Sequence, residues 1–148
     1  MSIQELHGYT FEDLHVGQTA VFGKTVTEAD ILMYAAVSGD TNPVHLNEEF
    51  GQATMFKGRI GHGMLSAAFI SAVFGTKLPG PGCIYLHQNL KFKAPVRIGD
   101  TVLARVTVTE LFPEKKRAAF KTVCTVGETV VVDGDAMLMV PGRPGLTI

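Results

Sequence analysis

An α+β fold, with an antiparallel β-sheet wrapped around one buried helix, is predicted by three features of this sequence. Residues 62–78, HGMLSAAFISAVFGTKL, are apolar or small almost all round, which marks a helix enclosed by other elements. Four strand-like runs follow that helix and one precedes it. Turn-forming pairs, Gly99-Asp100 and Gly127-Glu128, separate consecutive runs, as short antiparallel connections require. The 148 residues suffice for one domain with a real core and fall short of two comfortable ones, so residues 1–148 are expected to form a single domain.

The first strand is read at residues 18–26, QTAVFGKTV. Thr27, with Asp30 three residues on, then makes a reciprocal helix start for TEADILMYAAVSG, and Gly39 can end that helix. The next stretch, DTNPVHLNEEFGQATMFKGRIG, has no sustained period and contains Pro43 and three glycines. It still carries Phe50, Met55, Phe56 and Ile60, so it is read as an ordered overhang segment inserted ahead of the buried helix; long excursions inside a domain are usually functional when ordered. LPGPG stops that helix, because its prolines and glycines cannot continue it. The strand runs are CIYLHQNLKFKAPV, TVLARVTVTELF, KRAAFKTVCTV and ETVVVDGDAMLMV. In the second, Val102, Ala104, Val106 and Val108 alternate with Leu103, Arg105, Thr107 and Thr109, a period of two. Pro113-Glu114-Lys115 marks a third break, and PGRPGLTI is read as a surface extension. A sheet of this kind has open edges, most simply covered by pairing with a second copy, so a homodimer is expected.

Composition excludes several function classes. Thirteen basic residues face fourteen acidic ones, so no field of one sign marks a nucleic-acid or membrane-surface binder. MSIQELHGYT is neither a basic, apolar leader nor part of a span of about 18 apolar residues, and a cytoplasmic location is expected. Cys83 and Cys124 stand alone without the close spacing of a disulfide framework or a metal knuckle, and are read as buried thiols.

Two stretches carry chemistry. In SGDTNPVHLN, Asp40, Asn42 and His45 fall within six residues. Pro43 stiffens the chain and biases Asn42 toward extended backbone; a carboxylate and an imidazole so related can share one water as base and acid. The same residue types also build an ordinary turn after a helix, with Asn42 bonding local backbone. In GRIGHGML, Gly61, His62 and Gly63 open the buried helix, where unpaired N–H groups and the helix dipole favour negative charge. Gly63 has no side chain to obstruct a carbonyl oxygen, which makes its amide the candidate oxyanion donor; tight helix packing explains the same glycine. Asp40, His45 and His62 are also a conceivable metal set, although no HxH or HxxxH pair is present.

The chain resembles the MaoC-like (R)-specific enoyl-CoA hydratases, also called hydratase 2, over roughly residues 14–141. The resemblance is densest in YAAVSGDTNPVHLN and GRIGHGML. Tyr34, Gly39-Asp40, Asn42-Pro43, His45, Ala53, Phe56, Ile60 and His62-Gly63 match the family signature in order. The resemblance implies a hot-dog fold, a homodimer, and hydration of trans-2-enoyl-CoA to (R)-3-hydroxyacyl-CoA without metal or prosthetic group, CoA being part of the substrate. It assigns the catalytic roles to Asp40 and His45 and the oxyanion amide to Gly63, with Asn42 and His62 supporting substrate binding. Two other functions stay open: dehydration of (R)-3-hydroxyacyl groups on a carrier protein or hydrolysis of a thioester, and a non-catalytic acyl-thioester-binding subunit. On the buried helix Ser71 and Phe74 share a face, and Met137 lies on the last strand. If the acyl chain runs there, Phe74 and Met137 shorten the pocket to about C4–C6; core filling explains them equally well. Lys57, Arg59, Lys91, Lys93 and Arg97 are the cations available for the CoA phosphates.

Overall fold

In a computed structural model of the protein, which describes residues 2–144, five strands form one antiparallel sheet. They are β1 (Thr19–Thr25), β2 (Ile84–Phe92), β3 (Thr101–Phe112), β4 (Arg117–Val126) and β5 (Thr129–Met139), in spatial order β1-β3-β4-β5-β2. The α+β arrangement expected from the apolar helix and the alternating runs is therefore present. The alternation in β3 sorts as read: Val102, Ala104, Val106 and Val108 are buried while Leu103, Arg105 and Thr109 are exposed.

The buried face of the sheet curls around α4 (Gly63–Thr76), which packs on β1, β3, β4 and β5. Leu65, Phe69, Ile70, Val73 and Phe74 of this helix meet the inward side chains of the strands in one hydrophobic cluster. Burying each such side chain contributes about 1.5–3 kcal/mol relative to leaving it in water. The helix is not enclosed all round, however. Gly63, Met64, Ala68, Ser71 and Gly75 face outward, with Met64 half exposed; a single copy of the sheet covers only the side it curls over.

Helix α1 (Glu28–Ser38) has the predicted ends. Thr27 Oγ1 accepts the Asp30 N–H at 3.2 Å, Asp30 Oδ2 accepts the Thr27 N–H at 2.9 Å, and Gly39 closes the helix at φ 81°. The inserted overhang is more regular than its sequence suggested. It holds two short helices, α2 (Pro43–Leu46) and α3 (Glu48–Gln52), each started by an asparagine. Asn42 Oδ1 accepts the Val44 N–H and Asn47 Oδ1 accepts the Phe50 N–H, so local capping replaces the missing apolar period.

The N-terminal segment is docked. Phe11 and Leu14 enter the core, and the Phe11 N–H donates to the Pro141 carbonyl. Arg143, in the expected surface extension, donates to Glu12 and Asp13; the last four residues of that extension lie outside the described residues. Among the described residues no helix is long and apolar enough to cross a membrane.

Candidate active site

The left-handed turn at Gly39 aims the chain out of α1 and delivers Asp40. The Asp40 carboxylate accepts the Asn42 N–H at 3.2 Å, and Asp40 N–H donates to Ser38 Oγ at 3.1 Å. Its backbone carbonyl accepts from His62 Nε2 at 2.9 Å. His45, on α2, is buried, and its Nδ1–H donates to the Ile60 carbonyl at 2.8 Å. A carbonyl can only accept, so the nitrogen of each histidine that faces the backbone bears a proton, and in the neutral ring the lone pair is on the other nitrogen. That nitrogen is Nε2 in His45 and Nδ1 in His62, the latter buried with no hydrogen-bond partner among the described residues.

The two imidazoles stack, with centroids 3.9 Å apart and planes at 29°, and Tyr34 lies 4.7 Å from His62 on its own account. One polar atom each from Asp40, His45 and His62 lies within 4.8 Å of the other two. Stacked rings hold their in-plane lone pairs in two separate, nearly parallel planes. A tetrahedral ion needs converging lone pairs at about 2.0–2.2 Å, so this trio suits a shared water better than a metal.

These groups open onto a cavity of about 460 Å³. Asp40, His45, His62 and Gly63 line it together with mainly apolar side chains, among them Phe56, Ile60, Phe92, Val131 and Val132. Gly63 is the first residue of α4, and His62 at the cap makes no side-chain hydrogen bond to the helix. The Leu65 N–H donates to the His62 carbonyl at 3.1 Å, while the Gly63 and Met64 N–H groups have no acceptor among the described residues and can receive an anion or a developing oxyanion.

Not every residue singled out from sequence reaches this cavity. Asn42 is occupied in capping α2 and does not line it. Phe74 is fully buried, edge-on to Tyr85 and Phe120 in the core. Met137 is half-buried on β5 opposite His87 and Ala119. Ser71 lines a different groove, between α4 and β2, which touches the catalytic cavity only through Met64. The shared face expected for Ser71 and Phe74 is not found: Phe74 points into the core while Ser71, three residues earlier on α4, points outward, and neither lines the cavity at Asp40.

Among the candidate cations, Lys93 lines the cavity and Arg97 donates to the Phe56 carbonyl. Lys91 belongs to another groove, beside Asp133 and Asp135. Arg59 is committed inside the protein to Glu28 and to the His45 carbonyl. Glu28 is held below the usual carboxylate range by the Arg59 guanidinium, and Arg59 is raised in turn. The roles of Arg59 and of Phe92, which packs on Gly63, were hidden from sequence reasoning because their partners lie 31 and 29 residues away. Both cysteines are free, and burial pushes the Cys124 thiol up to about 12.

Comparison with known proteins agrees with this architecture. Residues 14–133 match the MaoC like domain. An (R)-specific enoyl-CoA hydratase of Rhodospirillum rubrum is 60% identical over 143 residues, 97% of this chain and 99% of that protein. A 3-hydroxybutyryl-CoA dehydratase of Methylorubrum extorquens is 49% identical, over 95% of this chain and 90% of that one. The unliganded R-hydratase PhaJ1 of Pseudomonas aeruginosa superposes with a TM-score of 0.87 at 41% identity, covering 97% of this chain and 98% of its own. With its sheet curled around α4, its Asp40/His45 cavity and these near-full-length relatives, the chain is a hot-dog protein that belongs to the MaoC-like domain family.

Proposed function

We propose that this protein is an (R)-specific enoyl-CoA hydratase, adding water to trans-2-enoyl-CoA to give (R)-3-hydroxyacyl-CoA with no metal or prosthetic group. The observation that carries this reading is the meeting of the Asp40 carboxylate, the unprotonated face of His45 and the Gly63 amide at one mainly apolar cavity. The names borne by the relatives at 60% and 49% identity support it.

The residues divide the work as follows. The thioester oxygen accepts the Gly63 N–H, which withdraws electrons from C3 and stabilises the enolate charge as it forms. Asp40 and His45 are both lone-pair acceptors, so one water can direct its two hydrogens at them. Its oxygen then bonds to C3 while one hydrogen passes to the acceptor. That proton returns to C2 as the enolate collapses, leaving hydroxyl on C3 and hydrogen on C2, both delivered from one side. The apolar walls exclude bulk water and strengthen these interactions.

The substrate is a short acyl chain, near C4–C6. Support comes from the relative at 49% identity, which is named a 3-hydroxybutyryl-CoA dehydratase. Lys93 is the cation best placed for the CoA phosphates. The working form is a homodimer, supported by the exposed apolar side chains of β2 and α4. A cytoplasmic location is supported by the two free thiols.

The test is loss of the conjugated thioester absorbance of crotonyl-CoA, with an (R)-specific coupling enzyme reading the product. The crotonyl group carried on acyl carrier protein serves as the competing substrate. Asp40→Asn and His45→Gln should each lower kcat by about two to four orders of magnitude, the range for loss of an acid or base. Near-full activity in both variants overturns the assignment.

A further inference from the structure

We propose that Arg59 is a positioning residue for the reaction, part of a Glu28–Arg59 clamp that fixes His45 relative to Asp40. This rests on the hydratase reading for its kinetic test.

His45 sits on a helix of four residues, too short to hold a side chain by itself. What holds it comes from the other end of the overhang. Arg59 Nε donates to the His45 carbonyl at 2.7 Å, and the next residue, Ile60, supplies the carbonyl that accepts His45 Nδ1–H. The Ile60 N–H donates to the Val44 carbonyl at 3.2 Å. Residues 59–60 thus grip both the backbone and the ring of His45, and by holding the ring's proton at Nδ1 they keep Nε2 available toward the cavity.

Arg59 is itself anchored. Its two terminal nitrogens donate to the two carboxylate oxygens of Glu28 at 2.7 and 2.9 Å, and its side chain is largely buried. Glu28 is the first residue of α1, and Asp40 follows that helix's C-terminal Gly39. The 11 residues of α1 form a rod about 16 Å long. One end carries Asp40, and the other holds the arginine that orients His45. All three guanidinium nitrogens are used, a fork that lysine cannot reproduce. The Glu28 half of the pair is half exposed, and an ion pair open to water on one side contributes little to stability, so its removal should register in geometry rather than in folding. Arg59 does not line the cavity, which separates this role from that of a CoA-phosphate contact.

The experiment compares the full-length protein with Arg59→Lys and Glu28→Gln, using crotonyl-CoA kinetics, thermal melting and nitrogen NMR of histidine-labelled protein. Arg59→Lys should lower kcat about ten- to a hundred-fold, the scale of an ångström-level misplacement. KM should stay within about threefold of the unaltered protein, with a melting point within a few degrees, because substrate contacts are untouched. The His45 signals should change from a protonated Nδ1 to a mixture of tautomers. Glu28→Gln keeps a neutral acceptor for Arg59 and should show a smaller fall in kcat of the same kind; it carries the test if Arg59→Lys does not fold. Full kcat with an unchanged tautomer overturns the clamp, and so does a rise in KM alone, which would make Arg59 a phosphate contact. If the unaltered protein does not hydrate crotonyl-CoA, the hydratase reading fails, while the tautomer spectra still decide whether the clamp exists.

Discussion

Gly63 is the position where one added carbon has the most local consequence. A Cβ built there would lie 2.6 Å from Cδ1 and 2.7 Å from Cε1 of Phe92, closer than real carbon contacts. Phe92 is half exposed and free to swing, so folding can absorb the change, but the ring would be pushed across the amide that faces the cavity. Gly63→Ala is expected to lower kcat/KM by about 10²-fold, comparable to losing an oxyanion donor, with thermal melting shifted by only a few degrees. Steady-state crotonyl-CoA kinetics beside a melting curve check this. Unchanged kinetics would show that the displaced Phe92 ring does not obstruct the amide, since alanine keeps its N–H. The motif around Asp40, His45 and Gly63 was readable as chemistry because all three residues belong to short local stretches. The His45–His62 stack was not, since ring orientation depends on the carbonyls of Ile60 and Asp40, which no spacing reveals.

At the scale of elements, the parts legible in the sequence are those with a period long enough to average over. The alternation in β3 and the apolar run of α4 are of this kind, and the reciprocal capping pair Thr27 and Asp30 adds a local start signal to the longer helix α1. Helices α2 and α3, of four and five residues, have no room for a period. Their signal was the asparagine before each, with Pro43 or Glu48 next in line. The lateral order of strands is a further step removed: β2 follows α4 in the chain yet pairs only with β5, at the sheet's far edge. Gly134 explains how closely those two strands fit, because a Cβ there would land on the Asn89 carbonyl oxygen, with the carbonyl carbon 2.9 Å away. Both obstacles are backbone, which cannot rotate aside. Gly134→Ala should therefore destabilise the fold by about 1–3 kcal/mol, read as a lower urea midpoint. It should also weaken activity, because β2 leads directly into Phe92 and Lys93 of the cavity wall. An unchanged midpoint would mean that the β2–β5 pairing is looser than its geometry.

The whole molecule has two open sheet edges, and they are not alike. On β1, Lys77 Nζ donates to the Val21 carbonyl and Lys24 pairs with Asp30, so charge occupies the edge and discourages further pairing. On β2, Ile84 and Leu86 stay exposed at 49% and 42%. The groove between β2 and α4 is lined mainly by apolar groups, including Met64, Ala67, Ala68, Leu86 and Leu90. The uniformly apolar sequence of α4 then makes sense: its inner side meets its own sheet, and its outer side is suited to a second copy. We expect the 15.9 kDa chain to sediment at about twice its own mass, as a symmetric pair. Leu86→Lys should shift it toward a single copy, because covering that exposed position with a partner would then cost the desolvation of a charge. Met64 belongs to this groove and to the catalytic cavity alike, so the separated form should lose activity along with its partner, and both losses should recede together as protein concentration rises. Sedimentation and crotonyl-CoA hydration measured across one concentration series test the linkage. A monomeric unaltered protein with full activity would break it, and so would a monomeric Leu86→Lys chain that still turns over at the unaltered rate.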